Sequence, residues 1–159
     1  MKLVPLSSLF SVTYGVNLEL NRMTLDRAGL PFVGRSERNN GVTARVAPVP
    51  GLTPNPAGTL SVAGGGSVLA TFLQIEPYYS GRDLFYLTPL VKMTDSQKLY
   101  YCSCILANRY RYSYGRQANK TLKDLPLPDF ADLPAWVVDG LPRVVTALAN
   151  RLQSVTTTP

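Results

Sequence analysis

The sequence predicts an α+β domain, strand-rich in its first half and helical in its second. Short β-branched and aromatic runs, separated by Gly and Pro turns, recur as far as Leu87. Apolar residues then take helical spacing from Ser96, and again after Pro142. With 159 residues, 45% of them hydrophobic and 16% charged, the chain is long and apolar enough to bury one core, and disorder is excluded.

Leu3 to Phe10 is a mixed apolar segment, read as a short helix entering a Tyr14-Gly15 bend. Phe32-Val33 and Val42 to Val46 read as strands bracketing Gly34-Arg35-Ser36-Glu37-Arg38-Asn39-Asn40-Gly41, where Asn40-Gly41 is a strong turn signal. Pro48 to Pro56 is a proline-rich connector. Gly58 to Ala63 and Val68 to Gln74 form two strands around Gly64-Gly65-Gly66-Ser67, and Leu84 to Leu87 another. Asp95 is a plausible N-cap for a helix from Ser96 to about Tyr112, with Leu99, Cys102, Ile105, Leu106 and Tyr110 on one side. Gly115 suits a left-handed helix end. Leu122 to Pro128 is an edge strand, because proline cannot donate to a ladder. Leu141 to Leu152 is a second short helix with Pro142 in its first turn, and Ser154 to Pro159 a frayed tail.

The chemistry this composition permits is narrow. The chain has no histidine, which removes histidine acid–base catalysis and nearly all zinc sites. Gly64-Gly65-Gly66-Ser67 lacks the Gly-Lys-Ser/Thr ending of a phosphate loop, and a strand follows it rather than a helix. The acidic residues are scattered, unlike those of a nuclease metal site. No enzyme activity, metal or cofactor is therefore expected. Cys102 and Cys104 point to different sides of a helix and read as buried reduced thiols, implying a cytoplasmic setting. No apolar run approaches the length of a membrane span.

The balance of 16 Lys+Arg against 10 Asp+Glu gives a net charge of +6 and favours an anionic partner. Arg82, Lys92, Lys98, Arg109, Arg111, Arg116, Lys120 and Lys123 face only Asp83 and Asp95 within their stretch. The Gly34 to Val42 segment and Tyr112-Ser113-Tyr114-Gly115-Arg116-Gln117 each set arginines and side-chain amides beside a glycine turn. Arginine, asparagine and glutamine pair bidentately with guanine and adenine edges, so both loops are candidate DNA readers. Solvated arginines beside ordinary turns are the competing reading, and composition alone does not separate the two.

Several pieces, taken in order, resemble the target recognition domain of specificity subunits of type I restriction–modification systems and their relatives. They are Leu9-Phe10 with Tyr14-Gly15, Pro31-Phe32-Val33 leading to Asn39-Asn40-Gly41-Val42, and Gly58-Thr59-Leu60-Ser61-Val62 before a glycine turn. Pro77-Tyr78-Tyr79-Ser80 before Asp83-Leu84, then Tyr114-Gly115-Arg116 and Leu125-Pro126-Leu127-Pro128, complete the set over roughly Leu6 to Asp129. The resemblance implies a globular domain over residues 1–130 that reads a half-site in double-stranded DNA. Residues 131–159 would be a short helical segment and tail. It also implies helical attachment to a modification methyltransferase subunit.

Proteins of this family usually carry two such domains separated by long helical spacers. This chain has one, so a homodimer, a second half-subunit or a fusion partner would complete the function. Pro134, Gly140 and Pro142 interrupt the region where a long spacer helix would begin. On this reading Arg35, Arg38, Asn39, Asn40, Arg116 and Gln117 are the candidate base readers. Ser36, Asn119 and Lys120 would touch or support phosphates, and Gly65, Gly66, Ser67, Tyr79, Ser80 and Arg82 would lie in further loops on the same face. The alternative function is a protein–protein adaptor or decoy whose basic face occupies a host methyltransferase without reading DNA.

Overall fold

Nine strands and two α-helices build the computed structural model, which describes residues 1–112 and 116–156. Ser113 to Gly115, including the expected helix end at Gly115, and Thr157 to Pro159 lie outside the described residues. The architecture is α+β, as the sequence predicts.

The segment expected to open with a helix instead forms β1 (Leu3–Pro5), a single 3-10 turn and β2 (Phe10–Tyr14). Pro5 is held extended at φ −66°, ψ 145°, and the edge pairing of β1 with β9 (Pro126–Pro128) supplies the hydrogen bonds a helix would have made. Of the expected strand from Leu122, only β9 pairs; Leu122–Asp124 is another 3-10 turn.

A four-stranded antiparallel sheet runs in the order β2, β8 (Leu84–Pro89), β5 (Thr59–Ala63), β6 (Thr71–Gln74). A three-stranded sheet sets β3 (Leu25–Val33) between antiparallel β4 (Val42–Val46) and parallel β7 (Tyr79–Ser80). The expected strand from Val68 is shorter, because Leu69 takes φ 58° and Val68 to Ala70 turn inward as a buried loop. Asn39 and Asn40 adopt φ 50° and 53°, the left-handed geometry that asparagine tolerates and that closes the β3–β4 connection.

α1 (Asp95–Ala107) starts one residue earlier than expected. Thr94 caps it, accepting from the Gln97 N–H at 3.2 Å while its own N–H donates to Gln97 Oε1 at 2.8 Å. The buried row is Gln97, Tyr101, Cys102 and Ile105, whereas Leu99, Leu106 and Tyr110 are exposed. The phase is fixed by Tyr101, which packs edge-on against Phe10 at 5.3 Å and donates its hydroxyl to the Pro128 carbonyl at 3.0 Å. The main core lies here, with Leu6, Phe10, Leu60, Leu87, Tyr101, Ile105 and Leu127 closed to solvent. Cys102 and Cys104 are free thiols, the first buried and the second half-buried, and burial pushes both up, Cys102 to about 12.

α2 runs over Ala135–Thr156, well beyond the expected 141–152, with Pro142 inside it. An internal proline removes one helical hydrogen bond and costs about 3 kcal/mol in isolation. Docking on α1 offsets that cost: Val137 is buried, Trp136 meets Tyr100 edge-on at 5.9 Å, and the Leu141 N–H donates to Ser96 Oγ at 3.0 Å. Further along, Val144, Val145, Leu148 and Leu152 leave an apolar row exposed.

Candidate nucleic-acid interface

Four loops meet at one place on the surface: 34–41 from β3–β4, 64–70 from β5–β6, 81–83 from β7–β8, and 116–120. The glycine run is what lets them approach. An ideal Cβ on Gly66 would lie 3.1 Å from Arg35 Cβ, and one on Gly65 would lie 3.3 Å from an Arg35 guanidinium nitrogen and 3.5 Å from Gln117 Nε2. Backbone bonds complete the seam, from Ser67 N–H to the Arg35 carbonyl at 3.2 Å and from Ala118 N–H to the Gly64 carbonyl at 2.8 Å. Gly64-Gly65-Gly66 therefore serves close packing of loop on loop.

Asp83 sits at the centre of the junction, in the left-handed region at φ 55°. Its Oδ2 accepts from Arg35 at 3.0 Å and lies 3.7 Å from Arg82 Nε, while Oδ1 accepts from Asn119 at 3.4 Å. Its carbonyl accepts the Gly64 N–H at 2.7 Å, and its own N–H meets the Tyr14 hydroxyl at 2.8 Å. A second tie runs through Arg109, which donates to Glu37 at 2.8 Å and to the Val68 carbonyl at 2.8 Å. Around these ties Arg38, Arg82, Arg111, Arg116, Gln117, Asn119 and Lys120 are exposed.

Two clefts flank the junction. One of about 300 Å³ is lined by Glu37, Gly65, Gly66, Ser67, Arg109, Arg116 and Gln117. The other, about 660 Å³, is lined by Arg111, Tyr112, Arg116, Gln117, Asn119, Lys120 and a largely apolar floor including Leu125 and Pro126. Tyr112 is anchored by a 2.7 Å hydroxyl contact with Thr121. Arg111 lies over the exposed Tyr110 ring at 5.2 Å, so Tyr110 belongs to the surface and not to the helix core. Basic and aromatic residues thus alternate along the chain from Arg109 to Tyr112, with Arg111 and Tyr112 on the larger cleft.

The expected site residues divide. Arg35, Gly65, Gly66, Ser67, Gln117 and Asn119 meet at the junction, with Arg82 and Arg116 on its rim. Ser36 accepts the Arg38 N–H at 3.1 Å and shapes the first loop. Asn39 and Asn40 turn away: with Pro31, Arg45, Gln74 and Glu76 they line a separate cleft of about 390 Å³. Gln74 fixes them there by donating to the Asn40 carbonyl at 2.9 Å, and Arg45 pairs bidentately with Glu76, drawing that carboxyl below its usual range.

Two of the expected contacts are corrected by burial. Tyr79 is 1% exposed, its hydroxyl accepting the Val49 N–H at 2.9 Å. Ser80 is fully buried, donating to the Val16 carbonyl at 2.8 Å and accepting from Asn55 at 2.9 Å. Neither presents a group to a ligand on the surface; they support the loops from within. Conversely, Asp83, Glu37 and Arg109 organise the junction and are not among the candidate site residues read from the sequence. The local signal for Asp83 is Gly81-Arg82-Asp83, a turn in which aspartate tolerates positive φ.

Among the described residues, no group of three or more His, Cys, Asp or Glu is placed to hold a metal, and no helix is long and apolar enough to cross a membrane.

No protein-family model matches the sequence, and no curated protein matches it. Solved structures do. The chain superposes on the S subunit of a type I restriction–modification system from M. genitalium with a TM-score of 0.64 and 17% identity, covering 96% of this chain and 40% of that one. A chain from a structure of the assembly and conformational transition of the type I R-M system gives 0.65 and 21%, covering 98% and 41%. The HsdS subunit from Thermoanaerobacter tengcongensis gives 0.59 and 19%, covering 98% and 38%. These likenesses establish the fold expected from the sequence resemblance. The chain spans about two fifths of the length of the S subunits it matches.

Proposed function

We propose that this chain is a sequence-specific double-stranded DNA-binding module, the non-catalytic recognition component of a restriction–modification system. It directs a partner methyltransferase, or an endonuclease, to the site it reads. The observation that carries this reading is the convergence of four loops whose exposed groups are mostly arginines, a lysine and amides, with the one exposed acid, Glu37, paired to Arg109, around one buttressed junction. Guanidinium forks and amides are the groups that discriminate base edges in the major groove, and surrounding cations hold phosphates. Arg116 and Gln117 are the foremost base readers, with Arg38, Arg82 and Lys120 on the backbone. The S-subunit fold supports the same assignment. The exposed apolar row of α2 supports attachment to a partner helix, either of a methyltransferase subunit or of a second copy that completes a bipartite site.

The test is enrichment of duplexes from a randomised library, followed by anisotropy titrations of the enriched and scrambled duplexes over a range of salt. Arg116→Ala should relax preference at one base pair by about 1–3 kcal/mol, whereas Lys120→Ala should weaken all sequences alike and flatten the salt dependence. A wild-type chain that enriches no sequence, or an Arg116→Ala, Gln117→Ala variant with unchanged affinity and preference, would sink the proposal.

A further inference from the structure

We propose that Asp83 is a positioning residue that fixes the reading loops in one mutual geometry, with Arg35 as its tie and not a base reader; this rests on the DNA-reading function above. An acid on a surface that faces phosphates is otherwise a liability, since it repels the ligand. Asp83 is the opposite of a stray charge. Its side chain is only 17% exposed, and its oxygens are engaged by Arg35 from the first loop and Asn119 from the last. Its backbone binds Gly64 of the glycine loop and the Tyr14 hydroxyl at the end of β2. One residue therefore joins three other loops and a strand end. Arg35 spends its Nη1 on Asp83 and its carbonyl on Ser67, and its side chain is two-thirds buried, so it is committed to the junction. The exposed donors beside it, Arg82, Arg116 and Gln117, inherit their spacing from that junction. Spacing errors of an ångström in a bidentate reader are costly, so a rigid buckle converts into sequence discrimination.

The test is Asp83→Asn, which keeps the left-handed backbone that asparagine tolerates while removing the charge. The ratio of affinities for the enriched and scrambled duplexes should fall about tenfold. Affinity for the scrambled duplex should hold or rise, because a negative charge has left the face. A role in mere charge balance would raise both affinities and leave the ratio unchanged, which would overturn the proposal. A second readout needs no DNA: amide hydrogen exchange in the free variant should quicken in 34–41, 64–67 and 116–120 together. Faster exchange confined to the residues next to position 83 would overturn it as well. If the wild-type chain enriches no duplex, the function itself falls and the role of Asp83 in it; a selective wild type with a fully selective Asp83→Asn removes the Asp83 role alone.

Discussion

Replacing Gly66 by alanine separates the two things a glycine can do in this junction. Gly66 and Gly51 both hold positive φ, 65° and 75°. An alanine forced into that region costs about 1–2 kcal/mol wherever it sits. At Gly51 nothing lies within 4 Å of the added Cβ, so the backbone cost is the whole cost. At Gly66 the Cβ meets Arg35 Cβ at 3.1 Å and the Arg35 carbonyl at 3.3 Å, both tighter than ordinary contact. Relief requires Arg35 to move, which strains its bonds to Ser67 at 3.2 Å and to Asp83 at 3.0 Å. Crowding and a weakened hydrogen bond together add about 1–2 kcal/mol. Thermal unfolding followed by circular dichroism should therefore place Gly66→Ala below Gly51→Ala by about 3–6 °C, using ~3 °C per kcal/mol for a domain of this size. The Gly66 variant alone should also lose DNA preference. Equal midpoints for the two variants would refute the close packing of the glycine loop on Arg35.

Two further outcomes follow from buried groups. Asn55→Ala removes the acceptor of the Val16 N–H at 3.0 Å and the donor to Ser80 Oγ at 2.9 Å, in a site 2% exposed. Urea denaturation should show a loss of about 2–4 kcal/mol, and a loss below about 0.5 kcal/mol would mean that this network does not buttress the loops. The Cys102 thiol, raised by burial from 9.0 to about 12, stays protonated in the folded chain while the unfolded thiol ionises. Its stabilising effect is thus complete below pH 9.0 and is lost as the pH rises toward 12. Tyr78 and Tyr101, also raised by burial, add to the alkaline fall. Urea midpoints measured across that range should decline, and Cys102→Ala should decline less steeply; parallel curves would contradict the assignment.

Much of this molecule is written in short-range chemistry. Asn40-Gly41, the glycine run and Pro48 to Pro56 mark turns because they restrict or free φ locally, and the strands between them fall where β-branched runs lie. The class of the fold and the basic, amide-bearing character of the loops follow from the same local reading. Burial is different, since it depends on what arrives from elsewhere in the chain. Gln97 takes a place on the inner face of α1 while Leu99 and Leu106 are left outside, because Phe10 and the Pro128 carbonyl lie opposite Tyr101. α2 runs through Pro142 because α1 receives Trp136 and the Leu141 N–H. Tyr79 and Ser80 are expected in a surface loop, yet they pair with β3 as β7, and Val49 and Asn55, distant in sequence, engage their hydroxyls.

The sequence by itself determined the α+β class, the positions of the turns and the chemistry of the loops. Only the tertiary structure decided that Arg35 is tied to Asp83, 48 residues away, that Asn39 and Asn40 leave the junction for another cleft, and that Gln117 returns to it. The reason is physical: dihedral preferences act over a few residues, whereas an ion pair and a shared glycine contact form only once distant loops have been brought within a few ångströms of one another.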